Sequence, residues 1–202
     1  MLQKIKSAFY YLFIYPFYKL IFKKLGARSR IVAPLKIHGA SNISIGSRVT
    51  VEYKTWLAAY PHTGAANCSL IIEDGTQIGN FNHIYATSKI HIGKKVLTAD
   101  KVYISDNSHS YENVEMVIND QGIKQLQEVS IGDGAWLGEN VCVIGANVGK
   151  GSVIGANSVV IKNIPDYCIA VGTPARVIKR YNFDLKTWLK TNAKGEFITE
   201  TL

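Results

Sequence analysis

Residues 129–160 read VSIGDGAWLGENVCVIGANVGKGSVIGANSVV, and their spacing decides the fold. Ile131, Leu137 and Val143 stand six apart, and after a step of five Val148, Ile154 and Val160 do so again. The same triplet recurs upstream as Ile45, Val51 and Leu57, as Ile72, Ile78 and Ile84, and as Ile92, Thr98 and Ile104. Glycine often follows, as in Ile45-Gly46, Ile131-Gly132 and Ile154-Gly155. A period of six suits neither an α-helix nor a lone hairpin; it predicts a parallel β-helix. Three six-residue units make one 18-residue coil of triangular section, with one aliphatic side chain per face pointing inward. About five coils over residues 43–161 exceed the roughly three repeats such arrays need. Thr98 is the one polar residue among the fifteen inward positions.

The interruptions are equally informative. From Leu57 to Ile72 the chain takes nine residues more than the regular step, and from Ile84 to Ile92 two more. From Ile104 to Ile131 it takes 21 more. Long loops inside compact domains are usually functional or disordered. This one starts Ser105-Asp106-Asn107-Ser108-His109-Ser110-Tyr111, too polar for a core, and is expected to be an extruded functional loop over 105–130.

At 202 residues the chain has room for one substantial core. Three scattered cysteines, Cys68, Cys142 and Cys168, form no CxxC pair and suggest a reducing compartment without a disulfide framework. The charge is uneven: residues 1–30 hold Lys4, Lys6, Lys19, Lys23, Lys24, Arg28 and Arg30 and no acid, which is +7 of the net +8. The basic balance therefore describes a tail and not a nucleic-acid-binding domain. Between those cations, Ala8 to Tyr18 and Leu20 to Phe22 are largely aromatic and aliphatic. The run is shorter than the ~20 residues a spanning helix needs, and Pro16 and Lys19 interrupt it. It lacks a small-residue cleavage site, so no secretory signal is expected. Two readings of residues 1–25 stand open: peripheral contact with an anionic membrane, or a helix capping the coil. Both hold if one face packs and the other meets lipid. At the other end, Asp184 to Lys190 places Leu185, Trp188 and Leu189 on one helical face, predicting a short C-terminal helix. The expected organisation is a basic aromatic segment at 1–30, a β-helix at 31–180, and a helix and tail at 181–202.

The stretch from Val129 to Lys179 closely resembles the hexapeptide-repeat acetyltransferases, through GAWLG, GANSVVIK and GTPARVIK. The resemblance extends upstream through IHIGKKVLTADKVYISDNSHS, to cover roughly residues 70–180. That family includes galactoside and maltose O-acetyltransferases, streptogramin acetyltransferases and O-acetyltransferases of bacterial surface polysaccharides. The resemblance implies a left-handed β-helix, where general crossover chirality alone would favour the right-handed form. It also implies a homotrimer with active sites between neighbouring subunits and acetyl-CoA as donor, with no metal.

On that resemblance, His109 matches the catalytic histidine, a general base for the acceptor hydroxyl; imidazole suits this because it titrates near neutrality. Asp106, with Asn107, is expected to orient the imidazole, hold the sugar or shape the turn. Asn82 resembles an active-site asparagine of some relatives. Trp136 and Gly138 resemble the wall beside the pantetheine arm, and small residues at Gly155 and Ala156 let the thioester approach backbone amides. Lys162, Arg176 and Lys179 match positions near the adenine nucleotide. The chain departs from the pattern at Ile161, where many relatives carry Thr. His38, His62, His83 and His91 read as surface or packing residues.

The expected activity is acetyl transfer to a sugar hydroxyl of a surface polysaccharide or its lipid-linked precursor, in the cytoplasm beside the membrane. Open alternatives are N-acetylation of a nucleotide-linked amino sugar, acetylation of a xenobiotic, and a catalytically silent scaffold. A zinc enzyme on the same fold needs three converging histidines, and His83 and His109 lack a third nearby partner.

Overall fold

The computed structural model describes residues 8–198, and within them the chain winds as a parallel β-helix with three flat faces. On the first face the inward column runs Leu25, Ile45, Ile72, Ile92 and Ile131, each paired in parallel with the next, and isolated bridges carry it on through Val148 to Ile164. On the second face Ile31, Val51 and Ile78 stack in register, and Thr98, Leu137, Ile154 and Ala170 continue the column. On the third, Ile37, Leu57, Ile84, Ile104, Val143 and Val160 stack in turn. Nearly all these side chains are fully buried, forming one continuous core. The ladders thus begin upstream of the five triplets of the sequence reading, at Leu25, Ile31 and Ile37.

Where Gly follows an inward aliphatic, close stacking requires it. A Cβ on Gly138 would lie 2.7 Å from the amide nitrogen of Ala156 in the next coil. Corner carboxylates complete the stack: Asp133 Oδ1 accepts from the Lys94 amide, and Asp166 Oδ1 from that of Lys150, both at 2.8 Å. The polar inward position is also satisfied. Thr98 Oγ1 donates to Asn82 Oδ1 at 2.9 Å and accepts from the Gly79 amide at 3.1 Å, so a hydroxyl inside the coil has two partners.

The N-terminal segment is helical from residue 8 to 21, with a π turn over Tyr10–Ile14 leading into Tyr15–Ile21. Pro16 removes one backbone donor, and the widened turn just before it is where the helix adapts: the Tyr15 amide donates to the Tyr10 carbonyl, five residues back. Tyr10 and Phe22 are buried; the Tyr10 hydroxyl accepts from the Ile31 amide at 2.9 Å, and the Tyr15 hydroxyl donates to the Gly26 carbonyl at 3.1 Å. This side of the helix caps the first coil. Residues 1–7, with Lys4 and Lys6, lie outside the described residues.

The C-terminal expectation is corrected. Residues Thr187–Lys190 form a strand, antiparallel to Ala175–Asn182, which itself pairs with Cys168–Gly172. Trp188 meets Tyr181 across the strands with ring centroids 5.4 Å apart, an arrangement that a helix would break. Residues 199–202 of the expected tail lie outside the described residues.

Candidate active site

The long loop leaves the coil at the corner after Ile104. Its two ends zip together as a short antiparallel pair, with Asn107 opposite Gln125, Ser108 opposite Lys124 and His109 opposite Ile123. What holds this stem to the coil is Asp106, which is fully buried. Its Oδ1 accepts from the Thr87 amide at 2.8 Å, the Thr87 hydroxyl at 2.9 Å and the Asn107 side chain at 3.1 Å. Its Oδ2 accepts from the amides of Ser88 and Lys89, both at 2.8 Å. Thr87, Ser88 and Lys89 sit at the corner between Ile84 and Ile92 that carries the two-residue insertion, so one irregularity of the repeat holds the other. Charge-assisted bonds of this kind are the strong ones. Asp106 therefore anchors the stem, and its carboxylate makes no bond to His109.

Gln125 extends the anchor. Its Nε2 donates to the Asp106 carbonyl at 2.7 Å, and its Oε1 accepts from the Thr63 hydroxyl. The excursion after Leu57 is thereby tied to the long loop, and His62 within it bonds the Tyr85 hydroxyl. Neither Gln125 nor Thr87 was singled out from sequence; only their places at the two interruptions of the period could have marked them.

His109 ends the stem strand with an exposed imidazole that has no hydrogen-bond partner among the described residues. Asn82 lies elsewhere: only 1% exposed, it donates to the carbonyls of Ala99 at 2.9 Å and Asn80 at 3.2 Å while accepting from Thr98. Its amide is shut inside the coil, where these bonds join the stacking of the repeat. His83 is stacked on Trp56 at 4.1 Å, and burial lowers its pKa, which favours a neutral packed ring.

The residues expected along the coenzyme arm are brought together. Trp136, half-exposed on the second face, pairs with Val153 of the next coil, which sets Gly138 over Gly155 and Ala156. Lys162 and Arg176 meet at an open cleft of about 380 Å³ floored by Ile164 and Pro165, and Lys194 from the C-terminal turn adds a third cation. Lys194 carries no motif and was missed. Lys179 does not join them; it lines a separate hollow with Trp188, Lys190 and Ile198.

Burial, followed by the negative charge of Asp106, pushes the Cys68 thiol up to about 11, and burial also raises Cys142 and Cys168. None is poised as a thiolate. Among the described residues no three His, Cys, Asp or Glu side chains gather as metal ligands.

Comparison with known proteins finds similarity to acetyltransferases, the class that the motifs resemble. No family model matches the chain. Over 128 residues it is 37% identical to a candidate lipopolysaccharide biosynthesis O-acetyl transferase, WbbJ, of Escherichia coli (strain K12), a match covering 60% of this chain and 65% of that protein. The chain spans less than two thirds of the length of the curated relatives it matches. A maltose O-acetyltransferase from Clostridium difficile 630 superposes with a TM-score of 0.55 at 26% identity, covering 82% of this chain and 73% of that one. AntD, an N-acyltransferase from Bacillus cereus in complex with dTDP and 3-hydroxybutyryl-CoA, superposes with a TM-score of 0.68 over 84% of this chain and 89% of its own. At 18% identity that likeness is one of fold.

Proposed function

We propose that this chain, similar in sequence and in fold to the hexapeptide-repeat acetyltransferases, is an acetyl-CoA-dependent O-acetyltransferase acting on a sugar hydroxyl. The observation that carries the reading is His109, an exposed imidazole at the end of a strand pair held rigidly to the coil by a buried carboxylate. In the proposed step His109 takes the proton of the acceptor hydroxyl as its oxygen attacks the thioester carbonyl. The carbon–sulfur bond then breaks, coenzyme A leaves as thiolate, and the imidazolium returns the proton to sulfur. The raised cysteine thiols favour this direct transfer over an acyl-enzyme.

Trp136, Gly138, Gly155 and Ala156 are assigned to the pantetheine arm, and Lys162, Arg176 and Lys194 to the nucleotide phosphates. The proposal includes the left-handed winding and the homotrimer of the family, with sites between subunits, and work at the cytoplasmic face of the membrane. The acceptor class, a hydroxyl of a surface polysaccharide or its lipid-linked precursor, is supported by the similarity to WbbJ.

The test is free-thiol release from acetyl-CoA with a panel of glycans and nucleotide-linked amino sugars, for wild type and His109→Ala. Loss of acceptor-dependent release by ~10²-fold or more, with coenzyme affinity kept, is expected for a general base. A wild-type chain that neither binds nor consumes acetyl-CoA overturns the reading, and turnover only with amines moves it to N-acetylation.

A further inference from the structure

The helix over residues 8–21 meets the coil with one side only. Tyr10, Tyr15, Tyr18 and Ile21 face the first coil and its core. On the opposite side Phe9, Leu12, Phe13, Phe17 and Leu20 are 56%, 69%, 65%, 58% and 84% exposed. Their spacing, with steps of three and four, draws a single apolar stripe along the helix. The helix is thus apolar around most of its circumference, and one of its two apolar sides is bare. A helix of that kind is stable in water only when the second side is also covered.

The surroundings of the stripe say what covers it. Lys19, Lys23, Lys24 and Arg28 are exposed at its C-terminal end, and among the described residues none of them pairs with an acid. Residues 1–30 contain no Asp or Glu, so two copies packed stripe to stripe would bring like charges together. An anionic surface is complementary instead. The fourteen described helical residues span ~21 Å, and no helix among the described residues is long and apolar enough to cross a membrane; with one side packed on the coil and the other bare, the geometry suits a helix lying in the plane of one.

We infer that residues 8–28 form an interfacial anchor on an anionic lipid surface. The aromatic and leucine stripe enters the boundary between headgroups and acyl chains, and the four cations rest over the phosphates. The Tyr10 and Tyr15 hydroxyl bonds fix the helix to the coil, so the anchor sets the end of the β-helix, and not a flexible tail, against the membrane. This inference rests on the helix and its charge, and stands whether or not the transferase reading holds.

The experiment is flotation of the full chain with phosphatidylcholine vesicles, with and without a third of phosphatidylglycerol, beside the variant Leu12→Asp/Phe13→Asp. Both side chains are exposed, so the variant is expected to keep the wild-type melting temperature. Wild type should float with the anionic vesicles alone and be released by high salt, and the variant should bind ~10-fold more weakly or worse. Acetyl transfer to a soluble acceptor should be equal in the two. Failure of wild type to float, or equal flotation of wild type and variant, overturns the anchor. Light scattering that shows the variant to be a smaller assembly than wild type also overturns it, because a second copy is then the cover.

Discussion

The coil and the loop that leaves it solve one problem, the fixing of backbone corners, in opposite ways. In the coil the work is divided. Asp133 holds one amide of the preceding coil and Asp166 another, each exposed and each repeated at many levels. At the loop stem a single buried carboxylate, Asp106, takes five donors. A repeat is redundant, because losing one corner leaves its neighbours stacked. An extruded loop has no neighbour above or below, so its geometry depends chiefly on one residue, which Gln125 supports. On the proposed reading, function sits on the irregular part and depends on that unshared anchor.

The largest effect should therefore follow Asp106→Asn. The amide nitrogen of asparagine would face two backbone donors, Ser88 and Lys89, that now bond a carboxylate oxygen. Losing two charge-assisted bonds at ~1.5–3 kcal/mol each predicts about 3–6 kcal/mol of destabilisation by denaturant unfolding. Asp133→Asn, at an exposed corner with one such bond, should cost less than ~1 kcal/mol. Equal costs at the two sites would break the comparison. Amide exchange at residues 87–89 sharpens it, since those amides should exchange faster in the Asp106 variant than any in the coil.

Next comes the core of the coil. Ile131 is fully buried between Ile92 and Val148, and Ile131→Ala should cost about 2–5 kcal/mol. A value near zero would mean that the stack closes up around the gap, and the core would then be less rigid than its register implies.

The two regions also differ in how far sequence alone reveals them. The coil is legible because each inward side chain must be apolar every sixth residue, whatever lies outside. That rule holds even where composition misleads. Leu25, Ile31 and Ile37 keep the spacing, yet Lys24, Arg28 and Arg30 around the first two read as a basic tail. Outward positions are free to be charged, so Leu25 reads as part of the basic segment at 1–30, while Ile31 and Ile37 fall in the β-helix at 31–180 but outside the five triplets. The loop obeys no period. His109 could be singled out by its polar setting and its family motif, but not the burial of Asp106 or the part of Gln125, which depend on chain folded from elsewhere. Asn82 shows the converse: on the resemblance it reads as an active-site asparagine, and only the neighbouring coil reveals that it is buried and bonds Thr98. The C-terminal strand was misread because Leu185, Trp188 and Leu189 span too few residues to separate helix from strand. Pairing with Lys179–Asn182 decided it.

A smaller effect than those at Asp106 and Ile131 concerns that same Thr98, the polar exception in an apolar column. Thr98→Val keeps the shape and removes the hydroxyl, leaving the Gly79 amide without its acceptor and Asn82 Oδ1 without its donor. The expected cost is about 1–3 kcal/mol, the penalty for stranding buried polar groups. Because Thr98 points into the coil and not toward the loop, the thiol-release rate of the folded variant should match wild type. A double-mutant cycle with Asn82→Ala separates the pair from its surroundings. A coupling energy near zero would mean that Asn82 is held by the carbonyls of Ala99 and Asn80 alone, and that Thr98 is there for the Gly79 amide. A substantial coupling would place the two side chains in one buried network. Thr98 would then belong to the coil's own construction, as the buried Thr76 and Ser152 hydroxyls that bond between coils do, and the proposed chemistry would be left to the loop.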